Sequence, residues 1–235
     1  MGTEVKAVIF DLDGVIVSTD NLHYEAWSRI CKEENIPFDR IINDRLRGVS
    51  RMESLDIILE RTSRLYTEPQ KQELAERKNG YYKDLLSGIS EADLLDGVEE
   101  TLDALQNRGI RTAIGSSSRN ARAILAQLGI AGRFDVIVDG NELARSKPDP
   151  EVFTTAAKKL ELLPVSCLVV EDAEAGVRAA AAAGMVPAAV GTACGSPLAV
   201  LHLDRLPDLL PYLEKASAAS TDSGSSDSIM QGGHY

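Results

Sequence analysis

Two aspartates one residue apart, Asp11 and Asp13, follow the apolar run VKAVIF at residues 5–10 and open the turn DLDG. Carboxylates held so close repel one another, and burial sharpens the repulsion. A divalent cation between them and neighbouring groups relieves it, and an all-oxygen ligand set suits Mg²⁺, which binds through one or two carboxylates together with phosphate. DxD by itself is more often a solvated turn or a helix cap; directly after a hydrophobic strand, as FDLDGVI, the metal reading is the stronger one. Three later segments carry matching chemistry: SSSR with Ser116, Ser117 and Ser118, SKPDP with Lys147, and EDAEAG with Glu171 and Asp172. A serine can hold a phosphoryl oxygen, although one of the three is expected to cap the following helix. An ammonium stabilises the equatorial charge of a transferring phosphoryl group. A second acid pair supplies further metal ligands, its bland alternative being a cap for the alanine-rich helix after it. Acid pair, hydroxyl, lysine and acid pair together suit one carboxylate nucleophile, one metal ion and one phosphoryl group, and an aspartyl-phosphate is an established form of covalent catalysis.

The elements that must position these groups can be read from periodicity. Val5–Phe10 is a buried-strand pattern rich in β-branched residues. Further strands are expected at IRTAIGSSS, FDVIVDG, SCLVVED and, last, VPAAVG. Between them run helical patterns: Val98, Leu102 and Leu105 up to Gly109; Ile124, Leu125 and Leu128 up to Gly129; PEVFTTAAKKLEL entered through Pro150; and Ala173–Ala183 up to Gly184. Alternating strands and helices imply right-handed βαβ units and a Rossmann-like parallel sheet in an α/β fold. Functional groups in such sheets gather outside the carboxyl ends of the strands, where all four segments fall. From about Thr19 to Leu86 only helical spacing is found, including a capping-box pattern at TEPQ from Thr67, so a small α-helical unit is expected to be inserted after the first strand. The division expected is 1–16 and 90–215 for a discontinuous α/β core, 17–89 for the helical insert, and 216–235, rich in Ser, Gly and Asp, for a flexible tail.

The 235 residues suffice for such a core plus a small second unit, and 44% hydrophobic with 26% charged residues argues against global disorder. A net charge of −11 without a basic stripe argues against nucleic acid as a partner. Cys31, Cys167 and Cys194 form no CxxC pair and are read as small hydrophobes in a reducing compartment. No signal-peptide pattern and no apolar stretch near the ~20 residues a membrane crossing needs are found, so a cytoplasmic, monomeric protein with no membrane partner is expected, one acting on a small-molecule sugar phosphate or related compound.

As an ordered set, DLDGVI, SSS, KPDP and ED resembles the four motifs of the haloacid dehalogenase superfamily, phosphotransferase branch, over residues 5 to about 200. The resemblance implies Asp11 as nucleophile, Asp13 as general acid and base, and Ser116 and Lys147 as phosphoryl ligands. It also implies Mg²⁺ held by Asp11, the Asp13 carbonyl and Asp172, with Glu171 at or near the metal. The helical insert then corresponds to a cap that closes over the site and excludes water. HYEAW at 23–27, RGVSR at 47–51, Ser54 and ERKNGYY at 76–82 are similar to the β-phosphoglucomutase family. That likeness implies substrate contacts from His23, Trp27, Arg47, Gly48, Val49, Ser50, Arg51, Ser54 and Lys78 in the cap, and from Ser118, Arg119 and Asn120 in the core. Arg51 would grip the phosphate that is not being transferred, and β-glucose 1,6-bisphosphate would serve as activator and intermediate. Trp27 is read as packing within the cap; His23 as either packing or linking cap closure to Asp13. Arg47 and Arg119 stand where that family has Lys, and Ser18 where it has Asp. The activity implied is conversion of β-D-glucose 1-phosphate to glucose 6-phosphate. The alternatives are a sugar-phosphate or phosphoglycolate phosphatase of the same superfamily, and a non-catalytic binding descendant of the fold.

Overall fold

The computed structural model describes residues 4–214; the expected tail at 216–235 lies outside them. Six strands form one parallel sheet: β1 (Ala7–Phe10), β2 (Arg111–Gly115), β3 (Val136–Val138), β4 (Cys167–Glu171), β5 (Val186–Val190) and β6 (Leu201–Leu203). Their spatial order is β3-β2-β1-β4-β5-β6. The last expected strand was VPAAVG; β6 extends the sheet beyond it. Its three residues, LHL, have too few alternations to rise above the surrounding loop.

Helices α5 (Val98–Asn107), α6 (Ala121–Gln127), α7 (Glu151–Lys159) and α8 (Glu174–Ala182) cover the two faces of the sheet. The period-2 geometry of a strand divides β1 between them. Val8 and Phe10 point into a core shared with Leu102, Leu105, Ile124 and Leu125, whereas Ala7 and Ile9 pack with Val152, Phe153, Ala156, Ala179 and Ala180. All four residues of β1 are fully buried, which explains their continuous apolar reading.

The strand order fixes where a site can form. The chain winds from β1 outward to β3, then crosses back and resumes at β4 on the other side of β1. The crevice at that reversal lies at the carboxyl ends of β1 and β4, where Asp11 and the Glu171–Asp172 pair emerge.

Between β1 and α5 the chain forms α1 (Asp20–Glu34), α2 (Arg40–Asp44), α3 (Arg51–Leu59) and α4 (Glu68–Leu86). Trp27, Ile30, Cys31, Ile42, Leu55, Ile58 and Leu74 make a separate apolar cluster that holds these helices together. The TEPQ signal starts α4, where Thr67 N–H donates to Gln70 Oε1 at 2.9 Å. Among the described residues no helix is long and apolar enough to cross a membrane.

Candidate active site

Asp11 and Lys147 are nearly inaccessible, and Lys147 Nζ donates to Asp11 Oδ1 at 2.6 Å and more closely to Glu171 Oε1. Burial alone would push the Lys147 ammonium down, but the Asp11 and Glu171 carboxylates hold it charged, above the usual lysine range. Ser116 sits just past β2 with its Oγ accepting from the Ser118 N–H at 3.1 Å. Ser118 Oγ in turn accepts from Asn120 N–H at 3.2 Å, a local turn that leads into α6 in place of a formal side-chain cap. Asp172 does not cap α8: the residue before that helix is Ala173, and the Asp172 side chain faces the pocket instead.

Oxygens of Asp11, Glu171 and Asp172 lie within 4.8 Å of one another. Burial, and after it the like charge of Asp11, pushes Asp172 up to about 8. Burial also pushes Glu171 up to about 7 against the pull of Lys147. Such a set, all oxygen and short of positive charge, fits a hard divalent cation. Within it Glu171 is partly committed, one oxygen to Lys147 and the other to Ala173 N–H at 3.3 Å. Asp11 and Asp172 therefore offer the freer oxygens. Gly14, at φ +83°, leaves this space open: a Cβ there would meet Asp172 Oδ2 at 2.2 Å.

The Asp13 carboxylate does not join the cluster. Its two oxygens accept from Thr19 N–H at 2.6 Å and Thr19 Oγ1–H at 2.8 Å, and Tyr82 Oη–H donates to Thr19 Oγ1 at 2.9 Å. A contact from Asp13 to a metal would thus be made by its backbone. Burial pushes the Asp13 carboxyl up to about 6, opposed by the two bonds from Thr19. His23 Nε2 lies 4.0 Å from Asp13 Oδ2, and its Nδ1 pairs with Lys78 Nζ at 2.7 Å. Burial, then the Lys78 charge, lowers the His23 imidazole well below its ordinary value; burial, then Arg51, does the same to Lys78. A neutral imidazole accepting from Lys78 at Nδ1 carries its proton on Nε2, toward Asp13; this tautomer is assigned from the hydrogen bonding. Trp27 is buried in the helical cluster and lines the pocket, with Lys78 Nζ 5.0 Å from its ring centroid, so its packing and pocket roles coincide.

Across a cavity of about 560 Å³ the helices and the sheet supply a second group of cations. Arg51, the first residue of α3, donates to Asn79 Oδ1 at 2.8 Å; burial, then the nearby Arg119 charge, lowers its guanidinium, partly opposed by Glu76. Among the described residues no carboxylate stands within ion-pairing distance of either arginine. Asn120 Nδ2 also donates to Asn79 Oδ1, at 2.9 Å. Arg47 differs: it pairs with Asp20 at 3.1 Å and reaches Asp172 Oδ2 at 3.5 Å. Ser50 spends its hydroxyl capping α3, accepting from Glu53 N–H at 3.3 Å. Gly48, Val49 and Ser54 line the cavity, and Gly48 C=O accepts from Ser117 Oγ–H at 3.4 Å. At φ +74° Gly48 also lets this loop approach α8, since a Cβ would meet the Ala173 Cβ at 3.2 Å.

The structure thus brings the expected site residues to one pocket, with Glu171 buried just beneath it against Lys147, and divides them into a carboxylate end and a guanidinium end. Comparison with known proteins places the chain: the family model for haloacid dehalogenase-like hydrolases matches residues 5–184. The chain belongs to this haloacid dehalogenase-like family. It is 48% identical over 196 residues to a β-phosphoglucomutase of Bacillus subtilis, covering 83% of this chain and 86% of that one. A phosphorylated carbohydrates phosphatase of Thermotoga maritima is 32% identical over 184 residues, 77% of this chain and 82% of that one. A crystal structure of β-phosphoglucomutase from Clostridium difficile superposes with a TM-score of 0.85 at 37% identity, covering 93% of this chain and 99% of that one. In this fold Asp11 and Asp13 follow β1, Ser116 follows β2, Lys147 precedes α7, and the Glu171–Asp172 pair stands at the end of β4. Thr19 and Asn79 were not anticipated. Thr19 reads as a helix cap from its position before α1, and Asn79 as one more polar residue beside Lys78; only their contacts reveal them.

Proposed function

We propose that this enzyme is a phosphomutase that converts β-D-glucose 1-phosphate to glucose 6-phosphate through an aspartyl-phosphate on Asp11. The observation that carries the reading is the second anion site. A phosphatase needs one phosphoryl site and water, whereas a mutase must hold a second phosphate while the first is transferred. Arg51 and Arg119, with Asn120 beside them, form that second site in a pocket whose other end holds Asp11, Ser116 and Lys147. The half-buried Arg51 and the exposed Arg119 face the cavity with no carboxylate in ion-pairing distance among the described residues, which leaves both guanidinium groups open to an anion on a chain of net charge −11. The relationship to the Bacillus subtilis enzyme supports the same reading.

In this reading the Asp11 phosphoryl group passes to the C6 oxygen of the substrate while Asp13 takes the hydroxyl proton. The β-glucose 1,6-bisphosphate formed turns around in the pocket. Its C1 phosphoryl group then passes to Asp11, and Asp13 returns the proton to the C1 oxygen, leaving glucose 6-phosphate. Lys147 and Ser116 hold the transferring group, and Arg51 and Arg119 the other phosphate. Asp11, Asp172 and the Asp13 backbone would hold Mg²⁺, which when bound neutralises charge on the phosphoryl oxygens. Glu171 keeps Lys147 in place. His23, neutral, orients Asp13 and accepts from Lys78, and a phosphate dianion in the pocket restores the charge that burial withdraws from Lys78. Residues 17–89 act as the cap. Contacts from Asn79 to Asn120, Gly48 to Ser117, Arg47 to Asp172 and Glu53 to Ser146 describe it closed on the core, where water is excluded from the aspartyl-phosphate.

The test follows β-glucose 1-phosphate with Mg²⁺ and a trace of the 1,6-bisphosphate, measuring glucose 6-phosphate and free phosphate together. Glucose 6-phosphate with negligible free phosphate is expected. Stoichiometric free phosphate without isomerisation would overturn the mutase reading in favour of a phosphatase.

A further inference from the structure

The contacts around Asn79 carry an inference that rests on the proposed mutase reading and deepens it. Asn79 follows Lys78 on α4, the helix that runs along the pocket, and lines the cavity. Its side-chain amide meets two donors from opposite sides of the cleft: Arg51 Nη2 of α3 at 2.8 Å and Asn120 Nδ2, just before α6, at 2.9 Å. Two converging N–H donors require an acceptor, so the atom between them is the carbonyl oxygen, and the orientation of the amide is fixed by its partners. The Asn79 NH₂ group is then turned the other way. Among the described residues it donates to nothing and is not sealed from the cavity.

We propose that Asn79 is a positioning residue for the phosphate that is not transferred: its carbonyl oxygen sets Arg51 of the cap and Asn120 of the core in one fixed geometry. Closing the cleft brings Asn120 onto the same oxygen as Arg51, so the two halves of the anion site become correctly spaced only when the cap is down. An amide is the group this position requires. A carboxylate would make both contacts but would also pair with Arg51 and neutralise a charge the phosphate needs. An aliphatic residue would spare the charge but leave Arg51 free to rotate, and the remaining rotamer freedom would have to be lost on each binding event.

The two substitutions separate this role from a merely structural one. Asn79→Asp keeps both accepted hydrogen bonds, so its melting temperature is expected to equal or exceed that of the native protein. Its KM for β-glucose 1,6-bisphosphate is nonetheless expected to rise at least about tenfold, with kcat changing by less than about threefold, because a charged hydrogen-bonding partner has been turned from phosphate to carboxylate. Asn79→Ala is expected to raise the same KM about five- to tenfold, and Asn79→Ser, which restores a small acceptor, to recover part of the loss. A KM within about twofold of native in both the Asp and Ala variants would overturn the proposal. So would a fall in kcat of more than about tenfold together with a lower melting temperature in the Asp variant, which would mark Asn79 as packing alone. If the native enzyme releases phosphate from sugar phosphates without isomerising them, the mutase reading fails by itself. The dissociation constant of the bisphosphate, measured calorimetrically on the native and Asn79 proteins, then still decides whether Asn79 orders the second anion site.

Discussion

Replacing Lys147 by Met removes one charge from the most heavily charged buried point of the molecule, and its cost can be worked from the geometry. Lys147 is 1% exposed and bridges Asp11, at 2.6 Å, and Glu171, with Asp172 completing a set of three carboxylates whose oxygens lie within 4.8 Å. Met fills the volume, so the loss is electrostatic. Removing one member of a buried ion pair leaves an uncompensated charge and costs about 3–5 kcal/mol. In a chain of this size that corresponds to a fall in melting temperature of about 6–20 °C. The pH dependence follows from Glu171, whose carboxyl is at about 7 in the fold against an ordinary value of 4.5. A folded pKa above the unfolded one means that this group's stability contribution is complete below pH 4.5 and is lost as pH rises through 7. Without Lys147 to pull it down, the Glu171 pKa rises further and more is lost. The gap between native and variant protein should therefore be small near pH 4.5, widen through pH 7, and narrow again when Mg²⁺ replaces the missing cation. Urea unfolding at acidic and alkaline pH, with and without Mg²⁺, measures this. A destabilisation below about 1 kcal/mol, or one that is the same at both pH values, would refute the electrostatic account of Lys147.

Asp11→Asn should abolish isomerisation and the ³²P-labelled acyl-phosphate formed from a phosphorylated substrate; a labelled enzyme in that variant would move the nucleophile elsewhere. Arg51→Ala should raise KM for the bisphosphate by about 10- to 150-fold, the worth of a charged hydrogen bond of about 1.5–3 kcal/mol, and steady-state kinetics would show it. With Asp13 raised to about 6, kcat/KM for β-glucose 1-phosphate on the phosphorylated enzyme should climb as pH passes upward through 6, since the base must be unprotonated; a profile flat from pH 5 to 7 would contradict its role. Gly14→Ala places a Cβ about 2.2 Å from Asp172 Oδ2, so Mn²⁺ binding followed by electron paramagnetic resonance should weaken at least about tenfold even without substrate.

The sequence by itself determined the layout of the core. VKAVIF and CLVV are continuous apolar runs because both faces of β1 and β4 are covered, and each ends in carboxylates because the strand end is where the buried sheet meets solvent. Local pattern was sufficient there, and the order of DLDG, SSS, KPDP and ED carried the family. What tertiary structure decided was direction and pairing. Asp11 and Asp13 are indistinguishable as residue types, yet one faces Lys147 and the acid cluster while the other turns to Thr19 and His23. Arg47 and Arg51 occur four residues apart in RGVSR, yet Arg47 is spent on Asp20 and Asp172 while Arg51 stays available beside Arg119. Thr19 and Asn79 gave no signal, because their importance comes from partners 6, 28 and 41 residues away. The short strand β6 was missed for a related reason: three residues carry too little periodicity, and only pairing with β5 makes them a strand. Composition and spacing determine which groups the strand ends deliver. Which carboxylate faces Lys147 and which faces Thr19, and which arginine is left without a carboxylate partner, depends on long-range contacts that exist only once the helices of residues 20–86 have folded over the sheet.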